Sequence, residues 1–265
     1  MGASGSKKTV ETAMKHCTLW KADRSPACRA VMMALDAMNL SLNEVDVNMD
    51  KEQHKSSKLA VMNSLQTLPI LKDRQLILCD SHAINTYLVR RYCDSGRLLP
   101  KDPAGRSLIE QMLHYNSGVL YPKYRAAAYP ILYDDCRYVM PQHVCEIESA
   151  YAELESMLVG RTWFGSCSWP MLSDICICAT VSTLNVMVPI DKTRYPRLSS
   201  WLYRMSEEMF YLTANAKGLG EFSKIIDCGH VVEEEKDKDK ENDGPRTSIK
   251  RRSFTKAQRS VVGVL

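Results

Sequence analysis

The chain has no Cys-x-x-Cys pair among its ten cysteines, and no apolar run approaching the roughly 18 residues that a membrane span requires. The first absence excludes dithiol redox chemistry, and the lack of His/Cys ligand spacing argues against a structural zinc. Cys176 and Cys178, two apart on an expected helix, point to different faces and make a poor metal pair. No secretory h-region is present, so the cysteines are expected to be reduced thiols in a cytoplasmic protein. An excess of one charge is also missing. The 35 basic residues stand against 31 acidic ones, a net of +4, too balanced to argue for nucleic acid. With aromatics at 8% and 14 methionines, aliphatics and methionine must build the core, and 265 residues suffice for two modest domains.

What is present begins with S-P-A-C-R-A-V, Ser25 to Val31, between a β-like run at Cys17 to Lys21 and an apolar-periodic segment. Pro26 suits the first helical position, where no backbone N–H is needed, and Ser25 suits the N-cap. The free N–H groups and dipole of a helix start favour an anion beside that hydroxyl. In a thioredoxin-like fold this corner holds the first cysteine of the dithiol. Here Ser25 replaces it and Cys28 keeps the second place, where a buried inert thiol is expected. Taken alone, Ser25 reads as a helix cap or as an anion-binding hydroxyl.

The same logic recurs further on. T-L-P-I-L at Thr67 to Leu71 and Q-L-I-L-C-D-S-H-A-I at Gln75 to Ile84 predict two short strands around the turn Lys72 to Arg74. Asp80 and Ser81 fall where the second strand ends and a helix through Ile84, Leu88 and Tyr92 starts, again a place for capping and anion binding. Leu68-Pro69 reads either as an edge-strand proline or as a cis bond that offers the preceding backbone to a ligand.

Periodicity predicts a helix from Pro26 to Met38, a strand from Leu42 to Val47 and a short polar helix from Glu52 to Met62. With the strand pair and helix through Tyr92 this makes β-α-β-α-β-β-α, a thioredoxin-like α/β domain over 16–94. Residues 95–103 read as a linker. An all-α domain follows over 104–228, with helices near Ala104–Arg125, Pro141–Leu158, Leu172–Asn185, Pro196–Glu208 and Thr213–Ile226.

The ends differ in composition. Residues 1–15 read as a flexible extension and 229–265 as a disordered charged tail, with E-E-E-K-D-K-D-K-E at Glu233 to Glu241. M-G-A-S-G-S reads either as a linker start or as a signal for acylation of Gly2, which would give weak membrane contact. Ser253 behind Lys250, Arg251 and Arg252 fits a basophilic kinase substrate.

Order and spacing together resemble the cytosolic glutathione S-transferases, specifically the insect delta/epsilon type, over roughly Cys17 to Ile226. The matching motifs are S-P-A-C-R-A-V, V-N-M at Val47 to Met49, Leu68-Pro69, D-S-H-A-I, L-L-P-K-D-P at Leu98 to Pro103, L-Y-P at Leu120 to Pro122, S-D-I-C-I-C-A-T-V-S-T at Ser173 to Thr183, and Y-P-R-L-S-S-W-L at Tyr195 to Leu202. The resemblance implies the glutathione transferase fold, a homodimer, glutathione as co-substrate with no other cofactor, and a small hydrophobic electrophile, as in detoxification. It implies that Ser25 donates to the thiolate, Asp80 takes the γ-glutamyl amine and Ser81 holds the adjacent carboxylate. His54, Gln66, Leu68, Pro69 and His82 would complete the glutathione site. Tyr121, Tyr124, Tyr129, Leu132, Tyr133 and Phe210 would line the hydrophobic site.

Several positions depart from the family pattern, among them Asp80, where the family usually has glutamate. The usual N-P-Q-H is N-S-L-Q at Asn63 to Gln66, and His82 stands where arginine is common, so charge assistance is weaker. Met171 replaces the threonine of a T-x-x-D capping box, which costs about 1 kcal/mol unless Ser168 or Ser173 substitutes. The weakened glutathione site also suits a weakly catalytic binder of hydrophobic ligands such as steroids. A glutaredoxin-like thiol transferase is opposed by Ser25.

Overall fold

The computed structural model describes residues 14–93, 96–134, 136–166 and 168–226. Gly2, Ser253 and most of the expected extension and tail lie outside them. Met14, expected in the flexible extension, is fully buried against the sheet, and the Lys15 carbonyl accepts from Asn43 Nδ2 at 3.1 Å.

Four strands form one sheet in the order β2-β1-β3-β4: β1 Cys17–Lys21, β2 Asn43–Asp46, β3 Ile70–Asp73 and β4 Leu76–Cys79. β1 pairs parallel with β2 and antiparallel with β3, and β3 pairs antiparallel with β4. The crossover between the parallel strands is α1, Pro26–Ala37. Between β2 and β3 a 3-10 turn, Gln53–Lys55, and α2, Ser57–Met62, replace the single helix expected there. β3 begins later than expected, so Leu68-Pro69 precedes the strand, and that peptide bond is cis. The β3–β4 turn tightens to two residues, with Arg74 at φ 55°.

Alternation along the strands divides the small core in two. Cys17, Leu19 and Leu71 pack with Val31 and Leu35 of α1 and with Ile84 and Leu88 of α3, Ser81–Tyr92. Val47, Leu68 and Ile70 pack with Cys28 and with Leu59 of α2. The remaining faces of α1 and α3, through Ala30, Met33, Ala34 and Val89, join the larger helical core.

That core surrounds α7, Leu172–Met187, which is buried along most of its length. Around it stand α4 Pro103–Tyr115, α5 Tyr121–Tyr133, α6 Pro141–Met157, α8 Pro196–Ser206 and α9 Met209–Ala214, followed by helical backbone over 216–226. Two expected helices need correction. The helix from Ala104 does not stop near Arg125. A π-helical turn, Asn116–Leu120, lets the chain pass Pro122, whose missing N–H cannot serve a regular ladder, and α5 continues through Pro130 to Tyr133. The helix expected over Thr213–Ile226 starts at Met209 and breaks at Asn215, whose side chain is committed to long-range partners. Leu98 and Leu99, in the stretch read as a linker, are buried, and the Leu98 carbonyl accepts from Leu172 N at 3.0 Å. None of the described helices is long and apolar enough to cross a membrane.

Asp174 organises the start of α7. It accepts from the N–H groups of Phe164 (2.8 Å), Gly165 (3.1 Å) and Met171 (3.0 Å) and from Trp201 Nε1 (3.0 Å). The hydroxyl missing at Met171 is not replaced by Ser173, whose Oγ is buried without a partner among the described residues.

Candidate functional site

Strand register brings several chain junctions to one end of the sheet. Trp20 of β1 pairs with Ile70 of β3, and Ile70 pairs with Cys79 of β4. The exit of β1 toward Ser25 therefore lies beside Leu68-Pro69, which precedes Ile70, and beside Asp80, which follows Cys79. Val47 N donates to the Lys21 carbonyl at 2.8 Å, so the chain leading to His54 leaves from the same end.

Ser25 is the N-cap of α1, in extended conformation and half-buried, with Pro26 in the first turn. Its Oγ accepts from Cys28 N at 3.5 Å, a long contact, and the same hydroxyl lies within hydrogen-bond reach of the Cys28 sulfur. Cys28 is fully buried, its sulfur accepts from Ala22 N at 3.4 Å, and burial pushes its thiol up to about 11. It stays a neutral thiol at physiological pH, as its position one turn into the helix suggested.

Asp80 is the N-cap of α3, where Oδ1 accepts from His82 N at 2.9 Å and Ala83 N at 3.0 Å. Its backbone sits at φ 78°, a region that costs a residue other than glycine of order 1–3 kcal/mol and that collects at functional sites. Ser81, half-buried, is the first residue of α3. His82 turns toward the helical layer. Asn116 Nδ2 lies 3.0 Å from its Nε2 and donates also to the Cys176 carbonyl at 3.2 Å, so Nε2 is the acceptor. Burial holds the His82 imidazole below its ordinary range, with Asp80 opposing and His114 adding to the effect.

His54 lies in the 3-10 turn, half-buried, with Nδ1 enclosed and without a partner among the described residues. Burial and the adjacent Lys55 lower its pKa, so the ring is neutral. Gln66 is exposed at φ 53°, and its N–H donates to the Asn63 carbonyl at 2.9 Å. The turn that presents it depends on Asn63, which the sequence reading passed over. Asn63 Nδ2 donates to the carbonyl and hydroxyl of Thr67, both at 2.9 Å, and Oδ1 accepts from Leu65 N. Leu68 and Pro69 are buried beside it.

α5 supplies a chain of aromatic rings. Tyr121 and Tyr124 are 5.4 Å apart, Tyr124 and Tyr129 6.5 Å, and Tyr129 and Tyr133 5.3 Å. Burial drives the Tyr121 hydroxyl well above its ordinary range, with Tyr124, Tyr129 and Cys28 adding to it, which places this ring near α1. Tyr133 is half exposed within electrostatic reach of Arg24 and Asp50. Leu132 packs half-buried on the helical core, and the Arg125 guanidinium lies 4.8 Å from the Tyr129 ring. Phe210 is buried in that core. The ring that meets Tyr124 from the C-terminal side is Phe222, at 6.2 Å, which sequence reasoning did not single out.

A four-stranded sheet that gathers polar junctions at one end, joined to a helical layer that sets aromatics beside them, is the architecture of the glutathione transferases. Residues 15–90 match the family described as glutathione S-transferase, N-terminal domain. The chain is 37% identical over 203 residues to glutathione S-transferase 1 of Manduca sexta, a match covering 76% of this chain and 93% of that one. Among solved structures it is similar to glutathione transferase E6 of Drosophila melanogaster (31% identity, TM-score 0.77, 80% and 97% of the two chains). It is also similar to an epsilon-class enzyme of the housefly Musca domestica (28%, 0.77, 80% and 98%). A glutathione transferase homologue of Drosophila mojavensis, solved with bound glutathione, gives 29%, 0.78, 82% and 98%. The chain belongs to the glutathione S-transferase family, and it is an enzyme of the insect delta/epsilon type.

Proposed function

We propose that the protein conjugates reduced glutathione to small hydrophobic electrophiles in a reducing, cytoplasmic setting. The observation that carries this reading is the half-buried Ser25 hydroxyl held as the N-cap at the start of α1. Free thiols ionise near 8.5, so little nucleophile exists at neutral pH without help. A donated O–H bond and the dipole of α1 stabilise the thiolate over the thiol. At the start of α3, Asp80 uses Oδ1 for its cap, which leaves Oδ2 for the γ-glutamyl ammonium, while Ser81 receives the neighbouring carboxylate. His54, Gln66, His82 and the backbone at Leu68-Pro69 serve the rest of the tripeptide. The tyrosines of α5 hold the electrophile near the sulfur, and the gain is one of proximity.

The active form is a homodimer packed on the open edge of the sheet. Leu76 and Ile77 of the edge strand β4 are exposed, and a groove of about 850 Å3 runs beside Leu76, lined by Asp80, His82, Thr86, Arg90, Glu110 and His114. The test is a conjugation assay with glutathione and an aryl halide, run on protein whose mass is read by sedimentation. Conjugation no faster than the uncatalysed rate overturns the reaction, and a sedimenting mass near the 30.0 kDa of one chain overturns the dimer.

Asp80 gives a sharper test. Asp80→Asn keeps an oxygen for the helix cap and removes the charge, so the melting temperature should hold while KM for glutathione rises about tenfold, the difference between a charged and a neutral pairing. The pairing exists in ground and transition states alike, so kcat at saturation should change little. An unchanged KM removes Asp80 from the site.

A further inference from the structure

The last described segment of the chain grips α1 from end to end. Near the C-terminus of α1, Thr213 Oγ1 donates to Asp36 Oδ2 at 2.7 Å. In its first turn, Arg29 donates to Asn215 Oδ1 at 2.5 Å, and the same guanidinium reaches Thr183 Oγ1 of α7 at 2.5 Å. Ahead of its start, Lys217 Nζ donates to Asp23 Oδ2 at 2.9 Å. Residues 213, 215 and 217 thus meet residues 36, 29 and 23, an antiparallel series that runs toward Ser25.

At the end of the series the contact passes from side chain to backbone. A Cβ on Gly218 would stand 1.9 Å from the Asp23 carbonyl oxygen and 2.5 Å from its carbon. Only hydrogen fits there. Asp23 belongs to the turn that presents Ser25, closed by Ser25 N donating to the Ala22 carbonyl at 3.0 Å. From the sheet side the Asp23 carboxylate is held by Lys21 at 2.5 Å. Lys21 is itself buried and also reaches Asp46 at 2.7 Å and Glu44 at 3.3 Å. The turn is therefore clamped between the sheet and the 216–226 helix. Burial works against the charge of Asp23, and the two lysines overcome it, so the carboxyl stays below its ordinary range.

We propose that Gly218 and Lys217 are positioning residues for the transfer reaction: by clamping the 22–25 turn they set where the Ser25 hydroxyl meets the bound thiol. This rests on the reading of Ser25 given above. Two effects combine. A side chain at 218 forces the Asp23 carbonyl, and the serine two residues on, out of place. Loss of Lys217 frees the turn on one side and leaves the Asp23 carboxylate less compensated, which opposes a thiolate nearby.

The experiment is ultraviolet titration of the thiolate of glutathione bound to the full chain, in the wild type and in Ser25→Ala, Gly218→Ala, Lys217→Met and Gly220→Ala. Gly220 lies on the same helical stretch, but a Cβ there meets nothing within 4 Å, so that variant should titrate as wild type. Gly218→Ala should move the titration up by about one pH unit, a tenfold loss of thiolate on the acid side. Lys217→Met should shift it in the same direction by a smaller amount, and because Lys217 is exposed this variant decides the matter if Gly218→Ala does not fold. A lowered melting temperature with the wild-type titration means that Lys217 and Gly218 only support the fold, and overturns the proposal. A shift in Ser25→Ala with none in Gly218→Ala or Lys217→Met overturns the proposal alone. No shift in Ser25→Ala overturns the serine reading, and this one with it.

Discussion

Alanine at position 25 should lower glutathione conjugation roughly ten- to a thousandfold and leave the fold intact, because one well-placed donor to a thiolate is worth about 1.5–4 kcal/mol. The stability cost should be small, since the cap contact from Cys28 N is already long at 3.5 Å. The pH dependence separates a chemical role from a capping one. Stabilising the thiolate lowers the pKa of the bound thiol, and removing the donor raises it. Activity is then lost most at pH values below the pKa of the variant and returns as pH climbs through it. Steady-state kcat/KM measured across pH should show the ascending limb moved to higher pH in the variant. Cys28 cannot supply substitute chemistry, as burial keeps its thiol at about 11. Coincident profiles for the two proteins would reduce Ser25 to a helix cap.

Elements whose local signals agree with their surroundings were legible in the sequence. The alternation at Cys17–Lys21 and the Ser25-Pro26 helix start appear where expected, because strand pairing and capping depend on neighbours in the chain. So does Asp80 as the cap of α3. The errors fall where a partner lies far away in sequence. Asn215 interrupts an otherwise periodic helix because Arg29, separated from it by 186 positions, requires its amide. Pro122 and Pro130 are ordinary stop signals, and nothing local announces the π-helical turn that carries the chain past the first of them. His82 has a distant partner that its motif does not announce: Asn116, itself bonded to the Cys176 carbonyl, meets the ring at Nε2. Aromatic composition alone could not choose between Phe210 and Phe222 as the ring that meets Tyr124. Gly218 carried no signal at all, since its reason is the Asp23 carbonyl pressed against it.

Asp174→Ala should destabilise the protein by about 3–5 kcal/mol, the range for stripping the acceptor from a buried charged network. Three backbone N–H groups and the Trp201 indole converge on this carboxylate, and Met171 provides no hydroxyl to take over any of them. The donors of Phe164, Met171 and Trp201 lie in buried surroundings, so alanine leaves them without acceptors in a space that water reaches poorly. Asparagine should recover part of the loss, because its carbonyl oxygen accepts while its amide group opposes the remaining donors. The effect matters beyond α7 itself. This helix carries Thr183 to the Arg29 guanidinium of α1 and the Cys176 carbonyl to Asn116 in the turn before α5, so its start supports both walls of the site. Urea unfolding of the wild type, Asp174→Asn and Asp174→Ala, followed by far-ultraviolet circular dichroism, should give midpoints falling in that order with similar slopes. A loss below about 1 kcal/mol for the alanine form would mean that water enters and satisfies the four donors, and that the carboxylate does not hold the helix start.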